Sequence, residues 1–120
     1  MKFGITAGVA SLALLGAALP AVTGASRPTA HAAATTVSVR ATEFHFKLSK
    51  TSVAHGKVTF KIRNAGHLKH DFKIAGKKSK MLNPGRSTSL TVTLRRGRYS
   101  YVCTVAGHAA AGMKGRLTVK

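Results

Sequence analysis

Acidic residues are almost absent from this chain. Glu43 and Asp71 are its only two, against 20 lysines and arginines, and the formal net charge over 120 residues is +18. Cysteine is scarcer still. Cys103 stands alone, so no internal disulfide can brace the fold, although small exported domains commonly depend on them. After Ala34 there is no internal repeat, no low-complexity linker and no stretch of helical periodicity. A helical or repeat architecture is thereby excluded.

The first third of the chain lacks charge rather than acid. Met1-Lys2 is a short positive start, Phe3 to Ser26 carries no charge, and Val9 to Ala18 is nearly all apolar. Pro20 breaks any helix. Small residues follow, and Ala30-His31-Ala32 and Ala32-Ala33-Ala34 both offer a small-x-small cleavage pattern. This predicts a secretory signal peptide over residues 1–34 and a mature domain over residues 35–120. The uncharged run is also long enough to cross a bilayer, so an uncleaved anchor through residues 3–26 is the rival reading, weakened by Pro20 and by Gly4, Gly8 and Gly16. The segment holds no cysteine, which excludes thioether lipid attachment there. Both readings put the domain outside the cytoplasm, in a periplasm, in the medium or at a cell surface.

Lys2 and Arg27 belong to the leader, which leaves a net charge of +16 on the mature part. Such a field draws a protein toward acidic partners or an anionic envelope surface. Nucleic acid fits poorly, because the chain reads as exported and its cations are scattered apart from short clusters at Lys77 to Lys80 and Arg95 to Arg98. A solvated, soluble surface is the plainer reading of the same charge.

The mature chain reads as short strands between turns. Val37 to Phe46 alternates, with a register change near Glu43. Val58, Phe60 and Ile62 share one face by the two-residue period, and Asn64-Ala65-Gly66 is a turn. Phe72 and Ile74 fall on one side of a brief strand from Asp71 to Ile74. Asn83-Pro84-Gly85 is a strong turn signal. Leu90, Val92 and Leu94 alternate, Gly97 leads into Tyr99, Tyr101 and Cys103, and Gly115 opens the last strand to Val119. Regular short strands of this spacing mean a β-sandwich or barrel.

About 86 mature residues make a small core with thin stability margins. A lone thiol outside the cytoplasm is normally a liability. Metal ligation removes it and adds stability; an inert buried thiol is the bland alternative. The neighbours of Cys103 decide between them. Cys103, His108 and Met113 follow one another at five-residue intervals, and these soft and borderline donors select copper. An electron-transfer copper site needs two His and one Cys in a plane with a weak axial Met, and His70, in Lys69-His70-Asp71-Phe72, supplies the missing donor from another segment. His67 is the rival for that place. His45 and His55 have no partner donors nearby, Met81 reads as core or loop packing, His31 leaves with the leader, and Tyr99 and Tyr101 read as core aromatics. A side-chain bond between Asp71 and Thr104 would tie the two ligand-bearing segments together.

The pattern Asn64-x-Gly66-x-x-x-His70-Asp71-Phe72, then Pro84-Gly85, then Tyr99-x-Tyr101-x-Cys103-x-x-x-Gly107-His108-x-x-x-Gly112-Met113-x-Gly115 resembles the cupredoxins over nearly all of Val37 to Val119. The gap from Cys103 to His108 is similar to that of azurins and auracyanins, whereas plastocyanins have a shorter one; the gap from His108 to Met113 looks more like auracyanin. The resemblance implies a Greek-key β-sandwich with one type 1 blue copper, ligated by His70, Cys103, His108 and Met113. In two respects the chain departs from the pattern. Asp71 stands where azurins and plastocyanins usually have Asn, and the disulfide and helical flap of azurin are missing.

The expectation is an exported, monomeric, mononuclear copper protein that carries one electron between redox partner proteins, with no small-molecule substrate. Copper trafficking or tolerance by the same ligands is the alternative. An enzyme is disfavoured, because four filled positions leave no open place for substrate. His108 is expected nearest the surface, inside a small apolar rim of Ala109, Ala110, Ala111, Gly66 and Pro84.

Overall fold

A computed structural model describes residues 34–120; the predicted leader, apart from its last residue Ala34, and its anchor alternative lie outside them. Nine strands form two sheets, and no helix occurs among the described residues. They are β1 (Thr35–Thr42), β2 (His45–Leu48), β3 (Ser52–Val53), β4 (Gly56–Asn64), β5 (Lys73–Ile74), β6 (Lys77–Lys78), β7 (Ser87–Leu94), β8 (Gly97–Val102) and β9 (Lys114–Val119). One sheet has the order β2-β1-β4-β7 and the other β3-β9-β8-β5-β6. The chain crosses between them repeatedly, and both sheets contribute to one core, as the sequence pattern predicts for a sandwich.

The alternation read from the sequence becomes two inward rows. In β1, Val37, Val39 and Ala41 are buried; in β4, Val58, Phe60 and Ile62 are. From the opposite sheet, Ile74, Tyr101, Leu117 and Val119 meet them. Phe72 sits between, edge-on to Phe46 at 5.3 Å and stacked on Tyr101 at 5.4 Å between ring centroids. Truncating such a fully buried ring to alanine costs roughly 3–5 kcal/mol.

Two segments differ from the sequence reading. Val37 to Phe46 is not one strand with a register change but a hairpin: β1 ends at Thr42, the chain reverses at Glu43-Phe44, and β2 pairs antiparallel with β1, Thr42 opposite His45. Alternation continues through the turn because both strands bury the same face, so periodicity alone did not reveal the reversal. The brief strand predicted from Asp71 begins only at Lys73, because the Asp71 side chain bonds across to Thr104. Short strands β3 and β6, of two residues each, carry too little pattern to be read.

One pairing positions the site. β1 and β4 run parallel, with Ala41 opposite Asn64. The segments that follow each strand, Glu43-Phe44 after β1 and 65–70 after β4, therefore emerge side by side at one end of the sandwich.

Candidate metal centre

The inward rows end in polar groups at this same end. Asn64 closes the row of β4, fully buried, and its amide donates to Leu68 O and to Leu82 O, both at 2.8 Å. Its side-chain oxygen accepts the Gly66 N–H at 2.9 Å. This small network shapes the turn that the sequence signals and carries the chain to His70. The His70 backbone is then fixed by a two-way bridge to Leu82, His70 N to Leu82 O at 3.1 Å and Leu82 N to His70 O at 2.8 Å.

Cys103 closes the row of β8, one residue past its end. The loop after it folds back on itself: Cys103 N donates to Met113 O at 3.1 Å, Met113 N to His108 O at 3.0 Å, and His108 N to Val105 O at 3.0 Å. Gly112 is needed in this loop on two grounds. Its φ is +125°, and a Cβ there would stand 2.9 Å from Phe44 O.

His70, Cys103 and His108 converge. Cys103 Sγ lies 3.6 Å from His108 Nδ1 and 3.9 Å from His70 Nδ1, and the three donor atoms all fall within 4.8 Å of one another. His70 and Cys103 are 0% and 1% exposed, and His108, at 7%, is the most open of the three. Metal bonds of about 2.0 Å to imidazole nitrogen and about 2.3 Å to thiolate sulfur, meeting near 120°, put N and S about 3.7 Å apart. The observed separations bracket that value, so the residues present fit a metal. Burial pushes the Cys103 thiol pKa up, so a metal must displace its proton on binding. Met113 is fully buried, and its backbone bonds to both Cys103 and His108.

The other residues singled out in the sequence sort clearly. His67 is exposed and offers its backbone N–H, not its ring, to the surroundings of the site. His45 and His55 are exposed. Tyr101 is a core aromatic, while Tyr99 is half-buried with its hydroxyl on Arg95 O. Met81 is not core: it is 45% exposed, because the chain on either side is drawn in at Ser79 and Leu82 instead. The expected tie between ligand segments is present. Thr104 N donates to Asp71 Oδ1 at 2.7 Å and its hydroxyl to Oδ2 at 2.5 Å.

The sequence reading missed Glu43 as part of this centre. Its carboxylate accepts the backbone N–H of His67 and Leu68, each at 2.9 Å, and lies 2.8 Å from His70 Nε2. The Leu68 amide first, then the His70 ring and the His67 amide, hold its pKa down to about 2. An available signal was its rarity: both acids of a chain with 20 basic residues turn out to bind at the metal centre. Phe44, also missed, packs edge-on to the His108 ring at 5.1 Å while remaining 40% exposed.

Fold and donor set define a β-sandwich with a buried Cys-His-His cluster, and the chain belongs to the cupredoxin-like domain family, whose sequence pattern matches residues 12–119. Its cofactor is one copper ion of the type 1 class, which the soft thiolate and imidazole donors favour. Over 40 residues the chain is 58% identical to auracyanin-B of Chloroflexus aurantiacus, a stretch that covers 32% of this chain and only 17% of that relative's length. Among solved structures, dithionite-reduced auracyanin from Roseiflexus castenholzii is similar with a TM-score of 0.66 at 24% identity, over 73% of this chain and 98% of that one. Auracyanin B is similar with a TM-score of 0.64 at 27% identity, over 72% and 89%.

Proposed function

We propose that this chain is an exported one-electron carrier whose copper is ligated by His70, Cys103, His108 and Met113, in a domain over residues 35–120 that follows a signal peptide over residues 1–34. The observation that carries the reading is the buried convergence of Cys103 Sγ on two imidazole Nδ1 atoms at 3.6 and 3.9 Å. The similarity to auracyanins supports it. When bound, the copper supplies a one-electron cycle between Cu(II) and Cu(I). Cys103 would hold the copper through its thiolate, His70 and His108 through their imidazoles and Met113 through its thioether. A backbone hydrogen bond at each of His70, Cys103, His108 and Met113 keeps the donors in place through a change of charge, and small rearrangement is what fast exchange needs.

His108 is the route for the electron, being the ligand that reaches the surface. Phe44 covers its ring, and the exposed Leu68 and Met81 lie on the neighbouring site-bearing segments. Phe44 and the small residues Ala109 to Ala111, which follow His108 in the chain, give it an apolar surround suited to brief docking, since transient redox interfaces are small. The partners are redox proteins, acidic ones by the charge argument, or an anionic envelope surface. Four protein donors leave no position for a substrate, which favours a carrier over an enzyme.

The visible spectrum tests this. Copper(II)-loaded protein is expected to be intensely coloured through thiolate-to-copper charge transfer, and Cys103→Ser to abolish the colour. A colourless, weakly bound wild-type adduct overturns the reading. Intense colour with fast copper loss and negligible electron exchange would indicate copper trafficking or tolerance instead.

A further inference from the structure

We propose that Glu43 is a positioning residue of the copper site: it fixes the tautomer of His70 and sets a negative charge one imidazole away from the metal, which holds the reduction potential down. The proposal rests on the copper reading above.

An ionised carboxylate can only accept hydrogen bonds. With Glu43 Oε1 2.8 Å from His70 Nε2, the ring proton sits on Nε2, and the lone pair is left on Nδ1. That is the nitrogen 3.9 Å from Cys103 Sγ. A partner of this kind fixes both the tautomer and the ring direction and raises ligand basicity. The carboxylate is itself held from several sides. Oε1 takes the amides of His67 and Leu68, and Oε2 takes the His67 amide at 3.1 Å. Gly66 leaves room for it, since a Cβ at that position would collide with the carboxylate. The next residue locks the turn to the other ligand loop: Phe44 packs on the His108 ring and its carbonyl faces Gly112. Residues 43 and 44 thus touch both segments that bring the imidazoles together.

The charge has a further consequence. Only Glu43 and Asp71 are acidic, and Asp71 bonds to Thr104 rather than to a ligand ring. Glu43 is the one carboxylate on a ligand side chain. A fixed anion there stabilises Cu(II) relative to Cu(I), and removing it raises the potential.

The test uses copper-loaded protein and two variants. Glu43→Gln keeps an oxygen to accept from Nε2–H and removes the charge. Its colour is expected to persist while the Cu(I)/Cu(II) balance moves about tenfold toward Cu(I), about 59 mV for one electron. Glu43→Ala removes both. In its diamagnetic Cu(I) form, the His70 Nε2–H followed by NMR is expected to exchange with solvent at least tenfold faster than in wild type. A merely structural role would not move the potential of Glu43→Gln. Unchanged potential in Glu43→Gln overturns the charge role, and unchanged Nε2–H exchange in Glu43→Ala overturns the orienting role. Should Glu43→Ala fail to fold, Glu43→Gln decides the charge role, and a wild-type His70 Nε2–H that exchanges with solvent as fast as that of a free imidazole overturns the orienting role. Wild-type protein without the intense colour would instead sink the copper reading itself, which separates the two failures.

Discussion

His67 and His70 lie three residues apart, and only one of them turns its ring to Cys103. The difference comes from the backbone: the bridge to Leu82 fixes His70, while the His67 amide is held by Glu43 and leaves its side chain in solvent. His70→Ala is therefore expected to destroy or open the site, and His67→Ala to leave the visible spectrum nearly unchanged; the reverse pattern would show the wrong histidine assigned. Met113 is buried without exposure, so Met113→Leu conserves volume and should cost less than about 1.5 kcal/mol of stability. Losing a weak axial donor favours Cu(I), and the reduction potential should rise with copper retained. Voltammetry that finds an unchanged or lower potential would remove Met113 from the axial place.

The elements that bring the ligands together come from different parts of the chain and are tied by few bonds. Asp71 and Thr104 make the tie between the segment leading to β5 and the ligand loop after β8. Hydrogen bonds to a charged acceptor contribute about 1.5–3 kcal/mol each. Asp71→Ala removes two and is expected to destabilise the copper-loaded protein by about 3–6 kcal/mol in denaturant unfolding. Thr104→Val removes only the hydroxyl bond and should cost less. The double variant is expected to cost little more than Asp71→Ala alone, because the valine deletes a bond that the alanine has already broken. Full additivity would show that the two side chains act independently. Part of this tie was legible from sequence, since Asp71 adjoins His70 and Thr104 adjoins Cys103. The hairpin turn at Glu43 was not, because the same residues alternate on either side of it.

Across the whole molecule, cations stand opposite one another without acids to separate them. Lys47, Arg40 and Arg63 form a row across β2, β1 and β4 by strand register. They line a surface cavity of about 790 Å³, away from the metal centre, with Ser38, Lys61 and Ser87. Like charges directly opposite destabilise a sheet, and an anionic partner relieves that. Salt screens such attraction over roughly 8–10 Å at physiological ionic strength. Stopped-flow electron-transfer rates are expected to fall with salt for an acidic redox partner and to rise for a basic one. Rates flat with salt for both would assign the charge to solubility or surface retention.

Residue order alone determined the β class, the core faces of β4, β7 and β8, and the loop that carries Cys103 and His108 to the site. The reason is locality. Strand faces follow a two-residue period, and Cys103, His108 and Met113 share one short loop whose spacing is written in the chain. His70 was legible through its neighbours Asp71 and Phe72. Only the tertiary structure decided that Glu43 belongs to the site, 27 residues before His70. That contact depends on the parallel pairing of β1 with β4, Ala41 beside Asn64, which sets the turn after one strand against the turn after the other. Contacts made by strand pairing leave no spacing in the sequence, because the length of chain between the partners is free to vary while the register is not.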